Sequence, residues 1–239
     1  MAEIAGVEVV PVPLDSAGNQ DLSATAKAID KRTGLVVVCR PHNPTGTVVP
    51  ARELTAFLRA IPARVPVILD EAYVEFVGAA EYVDPLALLS RHPNLAVLRT
   101  FSKAYGLAGL RIGYAFGRPE LMARVRRLQL PFGVSSTAVA AVAASYAAEP
   151  ELAARTTRIT TERESLRNSL RRCGIAVPRS HANFLYLPGP GVATALRRAG
   201  IAAKAYPDGS ARISVGDPDA AQAVRQALAG LRQRPSAGH

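Results

Sequence analysis

The sequence predicts an α/β protein with a large domain at residues 1–149, built on a mostly parallel sheet with helices on both faces, and a small C-terminal α+β domain at residues 150–239. Three observations carry that reading. Short β-branched runs alternate with helical patterns through the first 120 residues, the mark of a parallel sheet with crossover helices. From Pro119 the pattern is mainly helical, up to Cys173-Gly174. Beyond Gly174 the pieces shorten and alternate between strand and helix.

The elements follow in order. A strand is expected at Val7–Val12, a helix near Leu22–Lys31, a strand at Leu35–Cys39, a helix at Ala51–Ile61 and a strand at Val65–Leu69, buried on both faces. Pro50 suits the first turn of its helix, and Pro66 marks the beginning of its strand rather than the middle. Strands at Leu95–Arg99 and Ile112–Phe116 come next. An alanine-rich segment around Ala138–Ala148 leads into a long basic helix, for which Gly174 is a C-terminal cap. The small domain should hold strands at Ile175–Val177, Phe184–Leu187, Ile201–Ala205 and Arg212–Val215. Its helices should end near Gly200 and run from Pro218 to about Arg232, with the tail Pro235–His239 frayed.

Composition narrows the function. The chain has 239 residues, 49% of them hydrophobic and 20% charged, and a mean hydropathy of +0.10, which suffices for a core and excludes general disorder. No apolar run approaches the ~20 residues of a membrane span. The N-terminus lacks a basic region followed by an apolar stretch, and the two cysteines, Cys39 and Cys173, lie far apart, so a cytoplasmic protein is expected. The formal charge is +10, from 29 basic residues of which only Lys27, Lys31, Lys103 and Lys204 are lysines. Nucleic acid is not the expected partner, because aromatic residues are scarce and not interleaved with the basic ones. The dense run from Arg155 to Arg172 has an apolar stripe of Leu152, Ile159, Leu166 and Leu170, which puts its arginines on the solvated side beside Glu162 and Glu164. No metal is expected: His42, His92, His181 and His239 are scattered without a ligand cluster.

Three segments stand directly after predicted parallel strands, the edge at which open α/β sheets bind ligands. In Arg40-Pro-His-Asn-Pro-Thr-Gly46, two prolines and a glycine fix Asn43 in a turn. In Leu69-Asp-Glu-Ala-Tyr73, Asp70 emerges at the strand's end with Glu71 and Tyr73 beside it. A carboxylate there needs a partner, either an arginine or a protonated ring nitrogen of a ligand. The third runs from Arg99 to Gly113 and contains Lys103, a lysine in a chain that otherwise uses arginine. A lysine out of water or near other cations becomes a nucleophilic amine, which arginine does not. Thr100, Ser102 and Arg111 supply hydroxyls and a bidentate cation suited to a phosphate.

Together, N-P-T-G around Asn43, D-E-A-Y-V-E-F around Asp70 and Tyr73, and T-F-S-K-A-Y-G-L-A-G-L-R-I-G-Y around Lys103 and Arg111 resemble the large-domain motifs of fold-type I pyridoxal-phosphate aminotransferases. The resemblance is greatest to the histidinol-phosphate and aromatic-amino-acid branch. It implies a PLP-transferase-like large domain and pyridoxal 5′-phosphate as cofactor. By it, Lys103 forms the Schiff base with the cofactor aldehyde, Asp70 pairs with the pyridinium nitrogen, and Asn43 and Tyr73 bond the ring's 3-oxygen. Thr100, Ser102 and Arg111 hold the phosphate, and Arg212, in A-R-I-S-V-G, grips the substrate α-carboxylate. It further implies transfer of an amino group between an amino acid and a 2-oxo acid such as 2-oxoglutarate, in a homodimer. An amino-acid-phosphate decarboxylase shares these motifs and is the alternative chemistry; an inactive fragment is the non-enzymatic one.

The resemblance also implies departures. Full-length members begin well before the position of Met1, so part of their large domain is expected to be missing, including a phosphate-binding loop at a helix start and two sheet strands. One of those strands would lie between Val7–Val12 and Leu35–Cys39 and leave a gap inside the sheet. A misplaced start codon, a split gene or a decayed remnant would each give such a sequence. Gly133, in Pro131-Phe-Gly-Val-Ser135, stands where close relatives have asparagine.

Overall fold

A computed structural model describes residues 6–231. Among the described residues four strands, β1 (Val36–Cys39), β2 (Val67–Asp70), β3 (Leu95–Thr100) and β4 (Gly113–Gly117), form one sheet in the order β1-β2-β3-β4. The first three are parallel and β4 returns antiparallel to β3, from Thr100↔Gly113 to Ala96↔Gly117. Helices α1 (Leu22–Ala28), α2 (Ala51–Ala60) and α3 (Pro85–Arg91) cover one face. That assignment follows from side-chain spacing: Leu54, Phe57 and Leu58 recur at helical intervals on α2 and are buried with Val38, Val67, Leu69, Leu95 and Val97. Each such side chain contributes about 1.5–3 kcal/mol by leaving water. Asp21 and Asp84 cap α1 and α3 by accepting from Ala24 N and Leu86 N.

Six expectations need correction. Val7–Val12 is irregular, not a strand. No strand among the described residues pairs with it, and Val7, Val9 and Val10 are exposed, so its alternation has neither a ladder nor a face to bury. For the same reason the described sheet has no internal gap; it ends at β1, whose outer edge carries no partner strand among the described residues. The strand after Pro66 starts at Val67 and is closely packed on one face only: Val67 and Leu69 are buried while Ile68 is partly exposed. Ile175 and Val177 are buried but their segment is not a strand, because Ile175 N turns back to Leu170 O at 3.1 Å in the cap of the preceding helix. The expected Ile201–Ala205 strand shrinks to Lys204–Ala205.

Helices α4 (Pro119–Arg126), α5 (Ser136–Ala147) and α6 (Glu149–Arg172) follow β4. The 24 residues of α6 span about 36 Å. Gly174, in the left-handed region at φ 82°, ends this helix. The C-terminal part is a three-stranded antiparallel sheet in the order β5-β7-β6, made of β5 (Phe184–Leu187), β6 (Lys204–Ala205) and β7 (Ala211–Ser214). Helices α7 (Val192–Arg198) and α8 (Pro218–Leu228) complete it, and Leu166 and Leu170 of α6 join its core. The region expected for the final helix end and the tail, 232–239, lies outside the described residues.

The arginines of α6 are the sixth correction: they are not simply solvated. Arg163 is 4% exposed and its Nη1 donates to Ala182 O at 2.8 Å. Arg167 Nε donates to Pro178 O at 3.0 Å, and Arg158 Nη1 to Gly216 O at 2.9 Å. Irregular backbone leaves carbonyls without partners, and long, always-charged side chains from one helix reach them. Glu164 balances the buried charge, with Oε1 at 3.1 Å from Arg163 Nη2. Arg163→Ala should therefore cost about 1–3 kcal/mol, because it strands the buried Ala182 carbonyl; Glu164 keeps Arg167 Nη1 at 3.7 Å. The exposed Arg171→Ala should change stability by less than about 0.5 kcal/mol. Urea unfolding of the two variants against the parent checks the contrast.

Candidate active site

The three parallel strands deliver their C-terminal ends to one edge. In the register Cys39↔Asp70↔Leu98, Asp70 is the last residue of β2, between β1 and β3. Leu69 points into the core, so the pleat turns Asp70 to the opposite side. There it lines a cavity of about 530 Å³ together with Thr100, Ser102, Lys103, Arg111 and Tyr114. Asp70 Oδ1 accepts from Ala72 N at 3.0 Å, and no side chain among the described residues pairs with its carboxylate.

Lys103 follows β3 in a tight loop closed by Gly106 N→Lys103 O at 3.0 Å and Leu107 N→Phe101 O at 2.9 Å. Gly106 is needed there: its φ is 75°, and a Cβ would stand 2.8 Å from Arg155 Nη1, which reaches over from α6 and donates to Ala104 O at 3.3 Å. Lys103 Nζ lies 5.4 Å from the centre of the Tyr73 ring. Burial lowers the Lys103 pKa, the charges of Arg212 and Arg111 lower it further, and Asp70 opposes them. Tyr73 is buried edge-on against Phe184, 5.1 Å between ring centres, and burial raises its phenol.

Thr100 Oγ1 donates to Ile112 O at 3.3 Å and accepts from Ser102 N at 3.1 Å, so this hydroxyl shapes the turn that carries Ser102. Arg111 adopts φ 52°, a left-handed conformation costly for a non-glycine residue, of the kind that clusters at ligand sites. Its Nη1 donates to Ala108 O at 3.0 Å, which leaves the guanidinium's other donors for the cavity. Asn43 is held by the turn His42 N→Thr47 O and Gly46 N→His42 O, at 2.8 and 2.7 Å. Its Oδ1 accepts from Arg212 Nη1 at 2.5 Å, which joins the loop after β1 to β7. Arg212 also lies over the Phe184 ring at 4.9 Å. The fold thus gathers Asp70, Thr100, Ser102, Lys103 and Arg111 around one cavity, with Tyr73 against Lys103 and the Asn43–Arg212 pair beside them.

Sequence reasoning gave no role to Glu71, Arg99 or Glu75. Glu71 is the carboxylate that takes an arginine: its Oε2 lies 2.9 Å from Arg99 Nε and 2.8 Å from Nη2. Opposite charges on the residues flanking the two strand-end motifs were the available signal. Glu75 sits in the 3-10 turn Val74–Phe76, and its Oε2 is enclosed with no hydrogen-bond partner among the described residues. Among the described residues no group of His, Cys, Asp and Glu could hold a metal ion, and no helix is long and apolar enough to cross a membrane.

A family model for aminotransferases of class I and II matches residues 1–228. The aromatic amino acid aminotransferase of Rhodococcus opacus is 44% identical over 223 residues, covering 92% of this chain and 62% of that protein. The aromatic amino acid aminotransferase of Streptomyces coelicolor is 43% identical, with 92% and 62% covered. The chain thus spans about 62% of the length of these relatives. The structure of histidinol-phosphate aminotransferase from Sinorhizobium meliloti in complex with pyridoxal-5′-phosphate superposes with a TM-score of 0.85 at 30% identity, covering 94% of this chain and 64% of that one. N-succinyldiaminopimelate aminotransferase from Mycobacterium tuberculosis gives 0.80 at 27% identity, with 95% and 67% covered.

Burial pushes the Glu75 carboxyl up to about 7 from an ordinary 4.5. Folding therefore favours its protonated form. The stability contribution is fullest below about pH 4.5, falls as pH rises towards 7 and is lost above it. Glu75→Gln should remove that slope and be more stable than the parent at alkaline pH, by on the order of 1–3 kcal/mol. Urea midpoints on either side of this range test it; equal slopes for parent and variant would be the contrary result.

Proposed function

The chain belongs to the class I and II aminotransferases, and on that premise we propose that it binds pyridoxal 5′-phosphate at Lys103 and serves amino-group transfer. The substrates of this reading are histidinol phosphate or an aromatic amino acid as donor and a 2-oxo acid such as 2-oxoglutarate as acceptor. The observation that carries it is the opening of Lys103 and Asp70 onto one cavity whose remaining polar lining suits a phosphate. The family depends on pyridoxal phosphate, and the residues present fit that group. A cavity of about 530 Å³ is within the range that holds cofactors. Its donors are hydroxyl and guanidinium groups, and its one carboxylate without a side-chain partner is at Asp70.

In this reading Ser102 and Arg111 bind the phosphate, with Thr100 setting the turn between them. Asp70 holds a proton on the ring nitrogen, and Asn43 and Tyr73 orient the ring through its 3-oxygen. The bound cofactor supplies an electron sink for the charge left when the substrate's Cα proton departs. Lys103, with an amine lowered towards its neutral form, would take that proton from Cα and deliver it to the cofactor's C4′ carbon, as net amino transfer requires. Arg212 binds the substrate carboxylate and Asn43 fixes its direction. We further propose that the chain divides at residue 150 into large and small domains, that it acts in the cytoplasm, and that the complete assembly is a homodimer.

Purified chain mixed with pyridoxal phosphate should develop a visible absorption band, and borohydride should then fix the cofactor on Lys103, located by peptide mass. Lys103→Ala should lose both signals entirely. Identical behaviour of parent and variant would end the cofactor assignment. With the band present, an amino-donor panel with 2-oxoglutarate should yield glutamate; carbon dioxide instead would transfer the assignment to decarboxylation.

A further inference from the structure

The Glu71–Arg99 pair lies one residue from each of two site residues: Glu71 follows Asp70, and Arg99 precedes Thr100. Glu71's side chain is 1% exposed and Arg99's 20%. Both guanidinium contacts, through Nε and Nη2, fall on the same carboxylate oxygen at 2.9 and 2.8 Å, while Glu71 N donates to Leu98 O at 2.9 Å. Backbone and side chain therefore lock the end of β2 to β3 just where the two strands give way to the loops bearing Asp70 and Lys103. Arg99 is held from its far side as well, with its guanidinium over the Phe116 ring of β4 at 5.5 Å. Arg40, 2% exposed at the end of β1, adds a second cation attracted to Glu71 and is anchored by Nε→Val49 O at 2.9 Å.

A buried ion pair is a poor way to stabilise a sheet. Two apolar side chains of similar volume do as well or better, because desolvating both charges offsets most of their attraction. What the pair provides is direction: a carboxylate oxygen that accepts from Arg99 Nε, with Nη2 at ion-pair distance from the same oxygen, is held in a narrower geometry than apolar contacts impose. Thr100, fixed in β3 by Arg99 on one side and by the Ser102 N contact on the other, passes that orientation to the Lys103 loop.

We infer that Glu71 and Arg99 are positioning residues, a two-point clamp that sets the separation of Asp70 and Lys103 across β2 and β3. The inference rests on the cofactor reading of the cavity. Arg99 also lines the cavity, so Glu71→Gln, which leaves the guanidinium in place, reads alignment apart from direct contact.

The test uses the full chain, with pyridoxal phosphate as the probe. Three forms are compared with the parent: Arg99→Lys, which keeps an ion pair but loses the directed Nε–H bond; Glu71→Gln; and the double variant Glu71→Leu/Arg99→Met, which replaces the pair by apolar packing. Two readouts are independent of turnover: cofactor affinity from the absorption titration together with the fraction fixed on Lys103 by borohydride, and the urea midpoint. The double variant should unfold at or above the parent's midpoint and yet bind the cofactor about 10-fold or more weakly, since small misplacements of site groups carry large penalties. Arg99→Lys should bind more weakly than the parent and more tightly than Glu71→Gln. Parent-like affinity and trapping in the folded double variant overturn the inference alone. Should that variant not fold, parent-like trapping in Arg99→Lys does the same. A parent chain that traps no cofactor on Lys103 overturns the cofactor reading, and this inference with it.

Discussion

Register between the parallel strands is the constraint on which the site depends. Cys39, Asp70 and Leu98 lie side by side at the ends of β1, β2 and β3, so the chain leaves the sheet three times at one edge. Each exit carries polar groups: Asn43 after β1, Asp70 and Tyr73 at β2, Ser102 and Lys103 after β3. The antiparallel return of β4 then brings Gly113 opposite Thr100 and Arg111 to the same cavity. A slip of one residue in β2 would exchange the positions of Leu69 and Asp70. The carboxylate would enter the apolar layer occupied by Leu69, at a cost of several kcal/mol, and the leucine would face the cavity. Core packing and site chemistry therefore select the same register.

The basic composition has a structural use of the same kind. A single helix, α6, holds loops together by donating arginine N–H groups to carbonyls in segments without regular ladders: Ala104 beside Lys103, Pro178 and Ala182 before β5, and Gly216 after β7. Lysine, with a compact charge and no planar fork, would serve less well at these carbonyls. The near absence of lysine and the abundance of arginine thus have a common account. Reach and permanent charge serve scaffolding, and an amine that can give up its proton stands at the cavity.

Much of this was legible in the sequence because it is local. Alternating runs, proline and glycine punctuation, and polar residues just past each strand located β1, β2, β3 and the loops with Asn43, Asp70 and Lys103 to within a residue or two. What failed was non-local. Val7–Val12 carries a strand pattern, but a strand also needs a neighbour, and the described residues offer none. The apolar stripe of α6 was found through Leu166 and Leu170, yet burial of Arg163 depends on Ala182, 19 residues away. Asp70 was seen to need a partner; that the arginine would go to Glu71 follows from the pleat, which turns adjacent residues to opposite sides.

That division of partners determines the electrostatics of the cavity. Arg99 also lines it, but its charge is matched by Glu71: burial works against the guanidinium's charge, and the hydrogen bond and attraction of Glu71 outweigh that effect and keep it protonated. What remains near Lys103 is Arg111 and Arg212 on the cationic side and Asp70 on the anionic side. The local excess is positive, concentrated at a concave, partly desolvated surface where fields are least screened. Such a surface favours anions. By the same excess it disfavours a proton on Lys103, so the charges that would bind anionic ligands also prepare the amine for them.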